Sequence, residues 1–199
     1  MAILLSACSK KNNDPTPIND PTPSGMVTIN GINYGTVVIR GQTWTAVNYN
    51  GPGGVNYGNS STNNSMLGKL YTFDEAEAVV LPAGWRLPTT DDFETLESAG
   101  DGKSLMSKTS WTIGGGNDST GFSAKPAGYY NKSSFAGIGT DAVFVSNVSP
   151  VDTFPYIPHV ESFDVFQVNP SGKPVTYAFV TDILTVSTDK GAIRFVKDN

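Results

Sequence analysis

An α+β domain, with two short helices among antiparallel β-sheets and long loops, is the fold class this sequence predicts. Three observations carry that expectation. Alternating or β-branched runs stand at both ends of the chain, two Thr-x-x-acid helix starts lie together in the middle, and turn residues punctuate everything between them. Strands, then helices, then strands is the order of an α+β domain rather than of a repeating β-α-β chain.

The first strands read as two hairpins. Val27-Thr28-Ile29 and Ile32-Asn33-Tyr34 flank Asn30-Gly31, a pair suited to a type I′ turn. Thr36-Val37-Val38-Ile39 and Gln42-Thr43-Trp44-Thr45-Ala46-Val47 flank Arg40-Gly41 in the same way. Residues 48–68 are rich in Gly, Asn and Ser and read as one long loop. Thr72-Phe73-Asp74-Glu75 then opens a helix as a capping box. A Pro-Gly-Trp turn leads to a second start at Thr89, with Asp92 reaching back to it. Pro88 keeps Leu87 extended before that start. Asp91, Asp92 and Glu94 favour the positive end of the helix, Phe93 and Leu96 share an inward face, and Glu94 and Glu97 are expected to stay wet. These two helices are the only good helical signals. Residues 100–121 return to loop character around Trp111 and Gly114-Gly115-Gly116, and residues 142–146, 163–168, 175–180, 183–187 and 192–196 read as strands.

Length and composition narrow the class. A chain of 199 residues, 38% hydrophobic and 16% charged, holds one domain with a sizeable core. A net charge of −5 carries no electrostatic footprint for nucleic acid. No apolar run is long enough to span a bilayer. The single cysteine, Cys8, excludes disulfides, a CxxC redox pair and a zinc cluster by count. Leu5-Ser6-Ala7-Cys8 resembles a bacterial lipobox, so Cys8 is the expected lipidation site. The short apolar stretch before it reads as the end of a signal whose start lies upstream. Residues 9–25, with two copies of Asp-Pro-Thr-Pro, read as an extended tether. The expected organisation is therefore a truncated signal over 1–8, a tether over 9–25 and a globular domain over 26–199.

Gly84-Trp85-Arg86-Leu87-Pro88-Thr89, followed by Phe93-Glu94, resembles the Gly-Trp-Arg-Leu-Pro-Thr motif of formylglycine-generating-enzyme-like domains, which have a C-type-lectin-like fold. The closer resemblance is to the major paralogous domain family first named from Fibrobacter succinogenes and common in Bacteroidetes lipoproteins. It runs through residues 36–49, Gly68-Lys69-Leu70-Tyr71-Thr72-Phe73, Gly121-Phe122-Ser123-Ala124-Lys125-Pro126-Ala127-Gly128-Tyr129 and Arg194-Phe195-Val196-Lys197-Asp198. The family's Trp-Trp-Ser-Ser stretch is missing, with Val143-Phe144-Val145-Ser146 near its place, and residues 141–189 match weakly. The resemblance implies that the first and last strands pair, which would set Val37, Val38 and Ile39 beside residues 193–196.

Formylglycine-generating enzymes work through active-site cysteines, and residues 26–199 contain none, so that activity is rejected. His159 is the only histidine and no Gly-x-Ser-x-Gly elbow accompanies it, which leaves no Ser-His-Asp reading. The sugar-binding Glu-Pro-Asn, Gln-Pro-Asp and Trp-Asn-Asp motifs of C-type lectins are absent. Calcium would have to be gathered from Asp141, Asp152, Glu161, Asp164 and Asp182, which are scattered; no cofactor is expected otherwise. Gly114-Gly115-Gly116 lacks the Lys-Ser/Thr of a phosphate loop. Trp44, Trp85 and Phe122 are expected to pack in the core, and Arg86 to need a carboxylate or carbonyl partner.

Tyr129, Tyr130, Phe135, Phe154 and Tyr156 fall in stretches that read as loops, where aromatic rings can anchor a ligand. The expected ligand-binding residues are Phe154, Tyr156, His159, Tyr129 and Tyr130. The function these readings support is a non-enzymatic binding domain for carbohydrate or a host or bacterial surface protein. It would be lipid-anchored at the outer membrane, on the cell surface or the periplasmic face. The alternatives are a structural or adhesive fimbria-associated or envelope-assembly component and, further off, a carboxylate-based glycosidase.

Overall fold

The computed structural model describes residues 24–112, 114–131, 133–147, 160–163 and 188–199. Among them an α+β arrangement of two four-stranded sheets and short helices is formed.

The first sheet is built by the two expected hairpins. Strand β1 (Gly25–Ile29) turns through Asn30 and Gly31, both left-handed at φ 49° and 77°, into β2 (Ile32–Ile39). Arg40 and Gly41, at φ 51° and 83°, turn β2 into β3 (Gln42–Thr45). Positive φ at both central positions matches the right-handed twist of the flanking strands. The terminal strand of the sheet, numbered β8 below because it comes last, is Val196–Asp198, and it pairs antiparallel with β3, Trp44 opposite Val196. This corrects the expected neighbour. Strand β2 already has β1 on one edge and β3 on the other, so the end of the chain can join only at an outer edge, and it takes that of β3.

Helices are more numerous than expected. The stretch 48–68, expected as one loop, contains a 3-10 turn at Tyr57–Asn59 and α1 (Ser61–Leu67). Helix α2 (Phe73–Glu77) and helix α3 (Thr90–Glu97) start where the capping boxes place them. Thr72 and Thr89 each accept from the backbone N–H three residues on, and Glu75 and Asp92 each accept from the cap's own N–H. A further turn, α4 (Gly102–Leu105), is capped by Asp101 in what was expected to be loop. On α3, Phe93 and Leu96 are fully buried as expected. Glu97 is not wet: it is half-buried, and burial, helped by Glu94, raises its carboxyl to about 7.

The second sheet runs in the order β5-β4-β6-β7. Its strands are β4 (Ala127–Asn131), β5 (Ser134–Ile138), β6 (Ala142–Val145) and β7 (Val160–Phe163). Strands β4 and β5 form a hairpin where loop was expected, and β4 meets β6 in parallel at Gly128 and Ala142. Strand β6 is the expected run from Ala142, buried at every position, which is why it reads as continuously apolar. The expected strands over 175–180 and 183–187 lie outside the described residues, as does all of 163–168 except Phe163. None of the described helices is long and apolar enough to cross a membrane.

The core is aromatic. Trp44 lies 5.4 Å from Phe93 and 5.5 Å from Phe122, and Phe122 lies 5.6 Å from Phe144, centroid to centroid. A second group gathers Tyr34, Tyr49, Tyr71 and Phe195 against Leu87, and partly buried Trp85 packs on it. Between these rings sits a buried guanidinium. Arg194 is 0% exposed, donates to Asn48 Oδ1 and to the carbonyls of Thr45, Phe122 and Ser123, and lies 4.7 Å over the Phe122 ring. Burial disfavours its charge, but these four neutral oxygens accept its hydrogen bonds and hold the loop after Gly121 to the first sheet.

Candidate functional site

The central sequence motif proves to be a clasp. Arg86 exchanges two backbone hydrogen bonds with Val196 (both 3.0 Å), so it continues the first sheet beyond β8. Its guanidinium forks onto Asp92, with Nη1 on Oδ2 and Nη2 3.0 Å from Oδ1, and reaches Asp198 at 3.1 Å. Asp92 also caps α3 and accepts from Gln42 at 2.6 Å. Burial pushes the Asp92 carboxyl up, but Arg86, the Thr89 N–H and Gln42 outweigh it and hold the acid below its usual value. The carboxylate expected for Arg86 is therefore supplied by its own helix start. Arg86, Asp92 and Asp198 are bonded to one another and fasten chain segments together, while the buried Gln42 Oε1 beside them has no partner among the described residues.

A different place has groups left over. A pocket of about 380 Å³ opens between the 3-10 turn, the start of α2, the β4–β5 hairpin and the residues just before β8. Its apolar wall is Tyr130, Phe135 and Val55. Tyr130 and Phe135 are cross-strand partners with ring centroids 4.9 Å apart at 65°, and Tyr57 backs Phe135 at 5.1 Å and 52°. Gly128 lets this wall close: it sits at φ 67°, and a Cβ there would lie 2.7 Å from a Tyr57 ring carbon. The polar side of the pocket carries Asn59, Thr72, Thr188 and Lys190.

Lys190 is placed by the backbone. Its N–H and C=O pair with those of Tyr130 at 2.9 and 3.0 Å, which sets its side chain beside the rings. The ammonium meets Glu75 at 2.7 Å. Glu75 is fixed in turn, accepting from the backbone N–H groups of Thr72 at 2.8 Å and Gly54 at 3.4 Å. Burial pushes its carboxyl up, yet Lys190 and Thr72 prevail and hold it below the usual range. Among the described residues, the Tyr130 hydroxyl and the side chains of Asn59 and Thr188 make no hydrogen bond, and Lys190 uses one of its three donors.

Of the binding residues expected from sequence, Tyr130 lines this pocket. Tyr129 alternates to the opposite face of β4. Both, with Phe135, belong to a hairpin and not to a loop. Phe154, Tyr156, His159 and Cys8 lie outside the described residues. So do Asp152, Asp164 and Asp182, while Asp141 precedes β6 and Glu161 falls in β7. Among the described residues no three of His, Cys, Asp and Glu gather as a metal site. Val55, Asn59, Thr72 and Lys190 were not singled out as ligand contacts from the sequence. Thr72 reads there as a cap, which it is, and Lys190 as a turn residue, where the structure instead pairs it with Tyr130, so no signal marks either as a contact.

A small α+β domain with a clasped sheet and a partly polar, aromatic-walled pocket is thus the class of protein these features define. The family described as Fibrobacter succinogenes major domain matches residues 33–149, more than half of the chain. The chain belongs to that family. The match takes in the hairpin of β2 and β3, the clasp motif and β4 to β6. No curated protein and no solved structure matches the chain.

Proposed function

We propose that this chain is a lipid-anchored envelope protein whose domain, C-type-lectin-like in fold, binds carbohydrate without transforming it. The observation that carries the reading is the pocket. It sets rings against polar groups that the protein leaves unpaired, which is how recognition sites combine contact area with orientation. The groups of the clasp, by contrast, are spent on one another. The C-type-lectin-like reading is supported by the closure of the first sheet with the end of the chain and by the motif from Gly84 to Thr89. Anchoring is supported by Leu5-Ser6-Ala7-Cys8 and the Pro-rich stretch after it. Residues 154–159 add three further rings or ring-like side chains to the candidate contacts in sequence terms alone.

Two measurements test the reading. Protein expressed in a host that processes lipoproteins is expected to carry acyl chains on Cys8 and to sediment with outer membranes. Two or more chains, at about 0.8 kcal/mol per buried methylene, anchor stably. Cys8→Ala should release it, and equal sedimentation of both forms refutes the anchor. The purified full chain, screened on glycan arrays with calcium and with chelator, is expected to retain glycans unchanged. Hydrolysis of a retained glycan would make it an enzyme, and stoichiometric co-purification with partner chains in place of glycans would favour an assembly component.

A further inference from the structure

The geometry points to a neutral saccharide, held as a saturated, polyhydroxylated ring, as the ligand of the pocket between Tyr130, Phe135, Asn59 and Lys190. The inference rests on the carbohydrate-binding reading and narrows it, and three features of the pocket carry it.

The first is the attitude of the rings. Tyr130 and Phe135 meet at 65°, and Phe135 and Tyr57 at 52°. Phe135 is parallel to neither neighbour, so it forms no slot with Tyr130 or Tyr57 in which a flat aromatic ligand could be sandwiched. A ring face beside a ring edge suits a pyranose, whose C–H face is apolar and whose rim is not.

The second is the kind of polar group on offer. The Tyr130 and Thr188 hydroxyls and the Asn59 amide each present both donor and acceptor capacity, and among the described residues none is engaged. A sugar hydroxyl likewise donates and accepts, so each contact can be satisfied in both directions. A ligand with acceptors alone, such as a phosphate, would use half of that capacity.

The third is charge. Among the described residues Lys190 is the one cation lining the pocket, and its ammonium stands 2.7 Å from the Glu75 carboxylate. Glu75 cannot turn away without giving up the cap of α2, because the same carboxylate accepts from Thr72. An anionic sugar approaching Lys190 therefore meets Glu75 at nearly the same distance, and its attraction is largely cancelled. A hydroxyl pair gains from both, accepting from Lys190 and donating to Glu75. The volume of about 380 Å³ stands at the small end of ligand sites, which fits one sugar ring with part of a second.

The test is an array of neutral oligosaccharides built from glucose, galactose, mannose and xylose, beside uronate-containing, sialylated and sulfated ones, probed with the full chain. Titration calorimetry follows on the neutral glycan retained best. Retention of neutral glycans is expected, with affinity lowered roughly tenfold by Asn59→Ala and by Lys190→Met, and more by Tyr130→Ala. Asn59→Gly, which accepts the φ of 55° at that position, keeps the experiment decisive should Asn59→Ala, Lys190→Met or Tyr130→Ala unfold, since Asn59 is exposed and its side chain makes no hydrogen bond among the described residues. Retention confined to acidic glycans overturns the neutral-ligand inference and leaves carbohydrate binding standing. Neutral glycans held equally well by wild type and by Asn59→Ala overturn the pocket. No glycan retained at all overturns the carbohydrate reading with it.

Discussion

Replacing Arg194 by Met tests the architecture of the core most sharply. Met keeps an unbranched stem between Phe122 and Phe144 but removes every donor. Four acceptors then lose their partner at once: Asn48 Oδ1 and the carbonyls of Thr45, Phe122 and Ser123, at 2.6 to 3.0 Å in the native protein. Each acceptor left dry costs about 1–3 kcal/mol, while removal of a buried charge returns part of that, so a net loss of about 3–5 kcal/mol is expected. For a chain of this size that corresponds to a fall in Tm of about 10 °C. Urea unfolding followed by Trp fluorescence, together with calorimetry, measures it, and the slope of the urea transition should stay constant. Arg194→Lys is expected to lie near Arg194→Met, because a single ammonium cannot reach acceptors spread around the edge of the guanidinium plane. A loss under about 1 kcal/mol for Met, or full recovery with Lys, would refute the claim that this fork holds the loop after Gly121 to the sheet.

Further outcomes follow from the caps and the buried acids. Thr89→Ala should cost about 0.5–2 kcal/mol by chemical denaturation and Thr89→Ser almost nothing, since only the hydroxyl that accepts from Asp92 N–H matters. Asp92 has a lowered folded-state pKa, so its contribution is present above the unfolded value of about 3.9 and is lost as pH falls through the folded one. Asp92→Asn is therefore expected to lower Tm at neutral pH and to flatten its decline below about pH 4. Glu97 runs the other way. Its folded carboxyl is raised to about 7, so the folded protein binds the extra proton and stability falls as pH rises toward that value. Glu97→Gln should match wild type in acid and exceed it in Tm at pH values above about 7, and identical pH profiles would show that Glu97 ionises freely.

What the sequence revealed about this fold follows sequence distance. The Asn30-Gly31 and Arg40-Gly41 turns and the boxes at Thr72 and Thr89 each close within a few residues, so the residue types at fixed offsets are themselves the mechanism. Helix α1 escaped because Ser-Thr-Asn-Asn has weak helical propensity and side chains that compete for backbone partners. Strands β4 and β5 escaped because Ala-Gly-Tyr-Tyr-Asn and Ser-Phe-Ala-Gly-Ile carry glycine and small residues that dilute a strand signal. The site divides in the same way. Tyr130 stands out as an aromatic residue in a polar stretch. Lys190 and Glu75, 115 positions apart, meet because Tyr130 and Tyr71 draw in Lys190 and Gly191 through their backbones. No spacing rule encodes such a meeting.

The placement of β8 also sets the order in which the first sheet can close. Gln42 and Asp198 hydrogen-bond across 156 positions, and Val196 is held on one side by Trp44 and on the other by Arg86. Until residues 196–198 dock, β1, β2 and β3 stand with nothing to fill the space between β3 and the clasp motif. Closing so long a loop is slower than closing the two local hairpins, so the outer edge of β3 stays unpaired after they have formed. An unpaired edge is a template for any other strand, which makes this seam the place where the sheet is open to mispairing.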